Sequence, residues 1–278
     1  MIVSPSEDFD IQKIADSGQC FRLNACGTGD YRLIAGTHVL HISGQGALAL
    51  ECVGRDCGAC TFCTDFFDLK TDYGAFIDRV PARDAYLRAA TAYGRGIRIL
   101  RQDPWEMLIT FIISQRKNIP AIKRAVECLS TQFGQALAGG LFAFPTPEAL
   151  AAQTEEQLAP AALGYRTKYV LAAARMVAGG QLDLCALESA PDAALCEALK
   201  AVPGVGEKVA KCVMLFGFHR LRAFPKDVWI NRTLQAQYEG EFPPGCEGFE
   251  GVMQQYLFYY ARASAPRKKA GATALRGE

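Results

Sequence analysis

Apolar positions along the chain change their period once. In the first fifty or so residues they come in short alternating runs, and from about Tyr73 they recur at three- and four-residue spacing almost to the end. The alternating runs at 20–23, 31–34, 39–42 and 47–52, with Gly27, Gly29, Gly36, Gly44 and Gly46 as turns, predict a small antiparallel meander. A short amphipathic segment at 9–14 precedes it. Helical periodicity predicts helices over 75–80, 84–93, 104–114, 119–133, 147–152, 155–159, 167–178, 193–200, 207–216, 227–238 and 249–261. Breaks fall at Gly94, Gly134, Pro145, Gly179 and the Pro243-Pro244 pair. Residues 265–278 are small, polar and basic, and predict a disordered tail. Strands followed by helices indicate an α+β fold: a sheet domain over 1–80 packed on a mostly helical body over 81–264.

The tightest punctuation is Val202-Pro-Gly-Val-Gly-Glu-Lys208, inside a helix-hairpin-helix predicted over about 193–216. Gly204 and Gly206 mark places where the backbone takes positive φ or lets another molecule approach closely. A helix that opens on glycine leaves its first N–H groups bare, and its positive end suits an anion such as a phosphate. Lys208 lies in that first turn. A lysine desolvated there is pushed toward the neutral amine, which is a nucleophile. Asp227, just before an apolar run, is a carboxylate able to act on the same substrate.

Charge and cysteine content narrow the partners. The formal net charge is +1, which argues against a non-specific nucleic-acid coat protein. Residues 1–80 hold 6 Lys/Arg against 11 Asp/Glu, a net of −5, which leaves +6 for the remainder and a modest footprint for a DNA backbone. The first residues carry no basic-then-apolar export pattern, and the apolar run near Met107 to Ile113 is too short to span a bilayer. Eleven cysteines in such a chain read as reduced intracellular thiols.

Gly204-Val-Gly206 with Lys208 and then Asp227 resembles the helix-hairpin-helix signature of base-excision DNA glycosylases, and the lysine is similar to that of the bifunctional class. Four more segments resemble the 8-oxoguanine branch of that family. They are Ser17-Gly-Gln-Cys-Phe-Arg22, Gly96-Ile-Arg-Ile-Leu-Arg-Gln-Asp-Pro-Trp-Glu106, Leu163-Gly-Tyr-Arg166 and the stretch from Gln254 to Phe258. The resemblance runs in family order from about residue 9 to about 262. It implies a monomeric DNA glycosylase and AP lyase, intracellular and DNA-associated, acting on double-stranded DNA that contains 8-oxoguanine, with no cofactor and no membrane partner.

The resemblance also implies residue roles. Lys208 would be the nucleophile and Asp227 the charge stabiliser and proton shuttle. The Gly18 carbonyl would accept from the N7 hydrogen that distinguishes the lesion from guanine. Cys212 and Phe258 would sandwich the flipped base, although both also suit ordinary core packing, and Gln254 would bond its Watson–Crick edge. Tyr165 would fill the vacated stack and Arg166 would reach the orphaned partner base. Gly204, Gly206, Arg116, Lys117 and Trp229 complete the expected DNA contacts. A glycosylase for another damaged base, or a DNA-binding protein without chemistry, are the competing readings.

Departures from the family pattern matter. Arg116 and Lys117 stand where asparagines are common, and Ala121 stands where an arginine reads the opposite cytosine, which predicts weaker discrimination for that base. Trp229 stands where a phosphate-contacting histidine is common. Cys52, Cys57, Cys60 and Cys63 form a C-x4-C-x2-C-x2-C run whose spacing could ligate zinc or an iron–sulfur cluster. The family does not predict a metal there, Cys57, Cys60 and Cys63 also suit one apolar side of a helix packed on the sheet, and the expectation is no metal.

Overall fold

The computed structural model describes residues 2–3, 8–44, 48–53, 61–242 and 245–264. Strands β1 (Ile2–Val3), β2 (Leu23–Gly27), β3 (Asp30–Ala35), β4 (His38–Ser43) and β5 (Leu48–Cys52) form one antiparallel sheet in the order β1-β5-β4-β3-β2. The last four are the expected meander. The fifth, β1, lies along β5, and two residues are too few to show an alternating pattern. Alternation does its work in β3 and β4, where Leu33, Leu40 and Ile42 are fully buried. Helices α1 (Ile11–Asp16) and α2 (Thr61–Phe66) cover that face through Ile14, Cys63 and Phe66.

Residues 20–23 are not the first strand of the meander; β2 starts at Leu23. Just before it the helical body holds Gln19, while the Arg22 carbonyl accepts from the Ile34 N–H of β3 (3.2 Å). Gln19 donates to the Arg98 carbonyl (2.8 Å) and accepts from the Leu100 N–H (2.9 Å), while Gln102 donates to the Gln19 carbonyl (3.0 Å).

The body follows as α3 (Tyr73–Asp78), α4 (Ala85–Gly94), α5 (Pro104–Ser114), α6 (Ile119–Phe133), α7 (Pro147–Ala151), α8 (Glu155–Leu158), α9 (Thr167–Ala178) and α10 (Leu184–Leu187), completed by α11 (Asp192–Lys200), α12 (Glu207–Phe216), α13 (Val228–Tyr238) and α14 (Glu250–Ser264). The central helix is α5, buried from Trp105 to Ile113 and so apolar all round. Asp103 caps it by accepting from the Glu106 N–H (2.8 Å), with Pro104 at its first position. Against α5 pack α6, α9 and α12. The two short helices α2 and α10 have too few turns for their periodicity to be read from sequence.

Packing divides the chain nearer residue 70 than 80: Tyr73 and Val80 belong to the larger, helical core, and Phe66 and Phe67 to the sheet core. Among the described residues Cys52 is disulfide-bonded, which corrects the expectation of reduced thiols throughout. Cys57 and Cys60, the Pro243-Pro244 break and the 265–278 tail lie outside the described residues.

Across the junction, Arg22 is driven into the body with almost no exposure and donates to the Phe142 carbonyl (2.6 Å) and to Glu127 (3.4 Å). Beside it lies buried Glu106, whose carboxyl is pushed from 4.5 up to about 7 by desolvation, with Arg22 only partly opposing. A carboxyl raised on folding lends stability that is complete below pH 4.5 and is lost as pH rises through about 7. The 2.5-unit difference corresponds to about 3 kcal/mol. Urea melts of Glu106→Gln are therefore expected to lose that much of the parent's decline in stability between pH 4 and 8; an identical pH dependence in the two proteins would refute the assignment.

Candidate active site

Helices α11 and α12 form the predicted hairpin, closed by the buried Val202 and Val205 and a bond from the Val205 N–H to the Val202 carbonyl (3.0 Å). Gly204 has φ +82°, and a Cβ there would fall 2.4 Å from the Tyr169 ring, so both conformation and packing demand glycine. Gly206 differs. It is extended (φ −98°), and a Cβ on it would meet open space. It is the N-cap of α12 and offers no side-chain bond to the first turn, whose N–H groups face outward without a cap.

Lys208 stands in that turn, half-buried, its ammonium 5.5 Å from the centre of the Phe111 ring and close to the Cys212 thiol one turn further on. Burial raises the Cys212 pKa, with Lys208 pulling the other way. Asp227 caps α13 by accepting from the Ile230 N–H (2.8 Å). Burial raises its pKa above the usual carboxylate value; the cap bonds and the Lys208 charge moderate the rise.

These groups line one narrow slot of about 60 Å³ together with Gly18, Gln254 and Phe258. All six residues expected to do chemistry or to hold the base are thus brought together, from the sheet domain, α12, α13 and α14. Gly18 reaches the slot with φ +79°, and a Cβ on it would press within 3.2 Å of Ile119 and 3.4 Å of Phe258. Gln254 is buried, and its Oε1 has no hydrogen-bond partner. An orphaned buried acceptor costs about 1–3 kcal/mol, a cost that a donor entering the slot relieves.

The slot opens into a cleft of about 620 Å³ whose walls carry Arg116, Lys117, Trp229 and Arg262. Arg262 lies over the Phe258 ring at 5.2 Å. Arg116 is exposed with φ +52°, a left-handed conformation that turns the chain between α5 and α6. Lys117 donates to the Ala162 carbonyl (2.6 Å), and desolvation with nearby Arg166 lowers its pKa. Tyr165 is 48% exposed at the tip of its loop. Arg166 is placed differently from expectation. It is buried, stacked under Tyr165 at 4.4 Å, and donates to the Gln115 and Leu163 carbonyls, so its guanidinium points into the protein.

Gln115 is a residue the motifs did not single out. Its side chain donates to the Gly204 carbonyl (3.1 Å) while its own carbonyl accepts from Arg166, tying three loops that face the cleft. Val228, 61% exposed on the cleft wall, is another; its signal was an apolar residue at a helix start, facing solvent. Among the described residues, no group of three metal-ligating side chains comes together. The disulfide at Cys52 also removes one thiolate from the four-cysteine run.

Comparison with known proteins agrees with this geometry. Residues 1–108 match the 8-oxoguanine DNA glycosylase N-terminal domain, and residues 109–240 match the HhH-GPD superfamily of base excision DNA repair proteins. The N-glycosylase/DNA lyase of Saccharomyces cerevisiae is 34% identical over 191 residues, spanning 63% of this chain but only 50% of the yeast protein's length. A probable N-glycosylase/DNA lyase of Methanothermobacter thermautotrophicus is 30% identical, over 71% of this chain and 73% of its own. The crystal structure of the Clostridium acetobutylicum 8-oxoguanine glycosylase/lyase, in complex with double-stranded DNA containing cytosine opposite to 8-oxoguanine, superposes with a TM-score of 0.87 at 34% identity, covering 94% of each chain. With both halves matched in order over one continuous fold, the chain belongs to the 8-oxoguanine DNA glycosylase family of the HhH-GPD superfamily.

Proposed function

We propose that the protein excises 8-oxoguanine from duplex DNA and then nicks the strand, as a bifunctional glycosylase and AP lyase. The observation that carries the reading is the orphaned Gln254 carbonyl in a slot between Cys212 and Phe258, facing the amine and carboxylate of Lys208 and Asp227. A purine turned out of the stack presents N–H donors on its Watson–Crick edge, which answers that acceptor. A flat base fits between a thiol and an aromatic ring, and Gly18 leaves its backbone free for close approach to the lesion's N7 hydrogen. The open space at Gly206, above uncapped N–H groups, suits a phosphate of the same strand.

The chemistry follows from the placement. The deprotonated Lys208 amine attacks C1′ as the bond to N9 breaks, and the electron pair leaves with the base, which takes up a proton. Asp227 stabilises the positive charge developing on the sugar, in a buried setting where that interaction is strong. Ring opening gives an imine between Lys208 and C1′. The imine acidifies the C2′ proton, whose loss expels the 3′ phosphate and cuts the strand. Such a protein works wherever the cell keeps its DNA. Among the described residues no helix is long and apolar enough to cross a membrane.

Arg166 in its buried rotamer and Ala121 at the first turn of α6 leave the orphaned partner base with little side-chain readout.

Lys208→Gln is expected to abolish borohydride trapping on an 8-oxoguanine duplex while binding of that duplex persists; a trapped adduct in the variant would remove Lys208 as the nucleophile. Asn is also a good helix cap, so Asp227→Asn is expected to keep the fold and slow single-turnover excision by about 100- to 1000-fold. In the parent, the acid limb of that rate should have its midpoint above 3.8, the ordinary aspartate value, because burial raises the group; a midpoint at or below 3.8 would count against Asp227. Excision opposite each of the four bases should vary little in the parent. Ala121→Arg should raise preference for cytosine at least roughly fivefold, the scale of one polar base contact; a parent already strict for cytosine contradicts this.

A further inference from the structure

Resting on the reading above, we propose that a second groove, beyond Lys208 from the base slot, grips the phosphodiester backbone of the lesion-bearing strand through Arg222 and Lys226. This groove encloses about 760 Å³, and Lys208 is shared between it, the slot and the cleft. Arg222 and Lys226 are both exposed on its wall, and neither forms a hydrogen bond or ion pair among the described residues. The carboxylates that share the groove are engaged: Glu207 lies 3.7 Å from Lys200 and 3.8 Å from Lys211, and Glu250 accepts from the Gly248 N–H (3.0 Å). The lining side chains carry four cations, Lys208, Lys211, Arg222 and Lys226, against those two carboxylates, so the net charge of the groove is positive. The floor is apolar, built by Phe224 and Phe242 with ring centres 4.7 Å apart.

Connectivity says what lies there. In the proposed reaction Lys208 becomes bonded to the sugar of the everted nucleotide, so the phosphates on either side of that sugar must lie beside Lys208. The uncapped turn at Gly206 takes one direction of the strand. The groove that opens from the same lysine, with two unpaired cations on its wall, takes the other. Cations on long flexible stems neutralise phosphates without reading sequence, and no orphaned buried polar atom lines this groove to read a base edge. Neither Arg222 nor Lys226 falls in the motif that carries the resemblance, although Lys226 directly precedes Asp227.

The test is the salt dependence of equilibrium binding of the full chain to an undamaged duplex and to an 8-oxoguanine duplex. Each neutralised phosphate adds about 0.9 to the slope of log affinity against log salt. Arg222→Gln with Lys226→Gln is expected to reduce the slope on the 8-oxoguanine duplex by about 1.8, and by no more than that on the undamaged one. Arg222→Lys with Lys226→Arg should retain the parent slope, and Arg32→Gln with Lys70→Gln, in the sheet domain, should leave it unchanged. Thermal melts confirm folding of each variant. An unchanged slope on the 8-oxoguanine duplex in the first variant, a loss confined to the undamaged duplex, or an equal loss in the sheet-domain variant overturns the proposal. The glycosylase reading fails separately, if the parent forms no trapped adduct.

Discussion

The site depends on a stitch that carries one loop of the sheet domain into the helical body. The Ser17 carbonyl accepts from Gln255 (2.7 Å), the Gln19 side chain spans the Arg98 and Leu100 backbone, and Gln102 holds the Gln19 carbonyl. All three glutamines are buried, so each bond is made away from competing water, where an unmade one is costly. Between these anchors Gly18 is held at positive φ against Ile119 and Phe258. Without the stitch the slot has no wall on that side, although other polar contacts, such as Arg22 to the Phe142 carbonyl, also join the two halves of the chain.

Around that fixed wall the polar groups are poised and incompletely satisfied. Asp227 and Gln254 are placed by the fold, one as a half-buried helix cap and the other buried in the middle of α14, yet neither reaches full compensation: the first has its charged form disfavoured and the second lacks a partner among the described residues. Elsewhere in the core the buried groups Gln19, Arg98 and Tyr73 have several partners each. Among the described residues, buried atoms of Arg22, Thr110 and Arg220 also lack hydrogen-bond partners, but the Gln254 Oε1 is the one that lines the slot, where a ligand can reach it.

Much of this was legible in the chain because it is local. The hairpin glycines, the lysine in the first turn of α12, the caps Asp103, Asn118 and Asp227 and the long apolar α5 all follow from spacing within one or two turns. The first strand was read as starting early because residues 20–22 alternate as a strand does, whereas Gln19 just before them is held by partners some eighty residues away in the body. The direction of Arg166 was equally hidden: a basic residue next to an exposed Tyr165 reads as outward-facing, but the Gln115 and Leu163 carbonyls capture it.

By itself, then, the sequence determined the α+β class, the helix-hairpin-helix and the chemical identity of the candidate site groups, since these depend on period, turn chemistry and side-chain type. Only the tertiary structure decided that Gly18, Lys208, Cys212, Asp227, Gln254 and Phe258 share one slot, that Gln254 lacks a partner there and that Lys208 borders three cavities. The reason is physical. Whether a polar atom is satisfied or orphaned depends on neighbours brought together by packing across more than two hundred residues, and no local pattern encodes those neighbours.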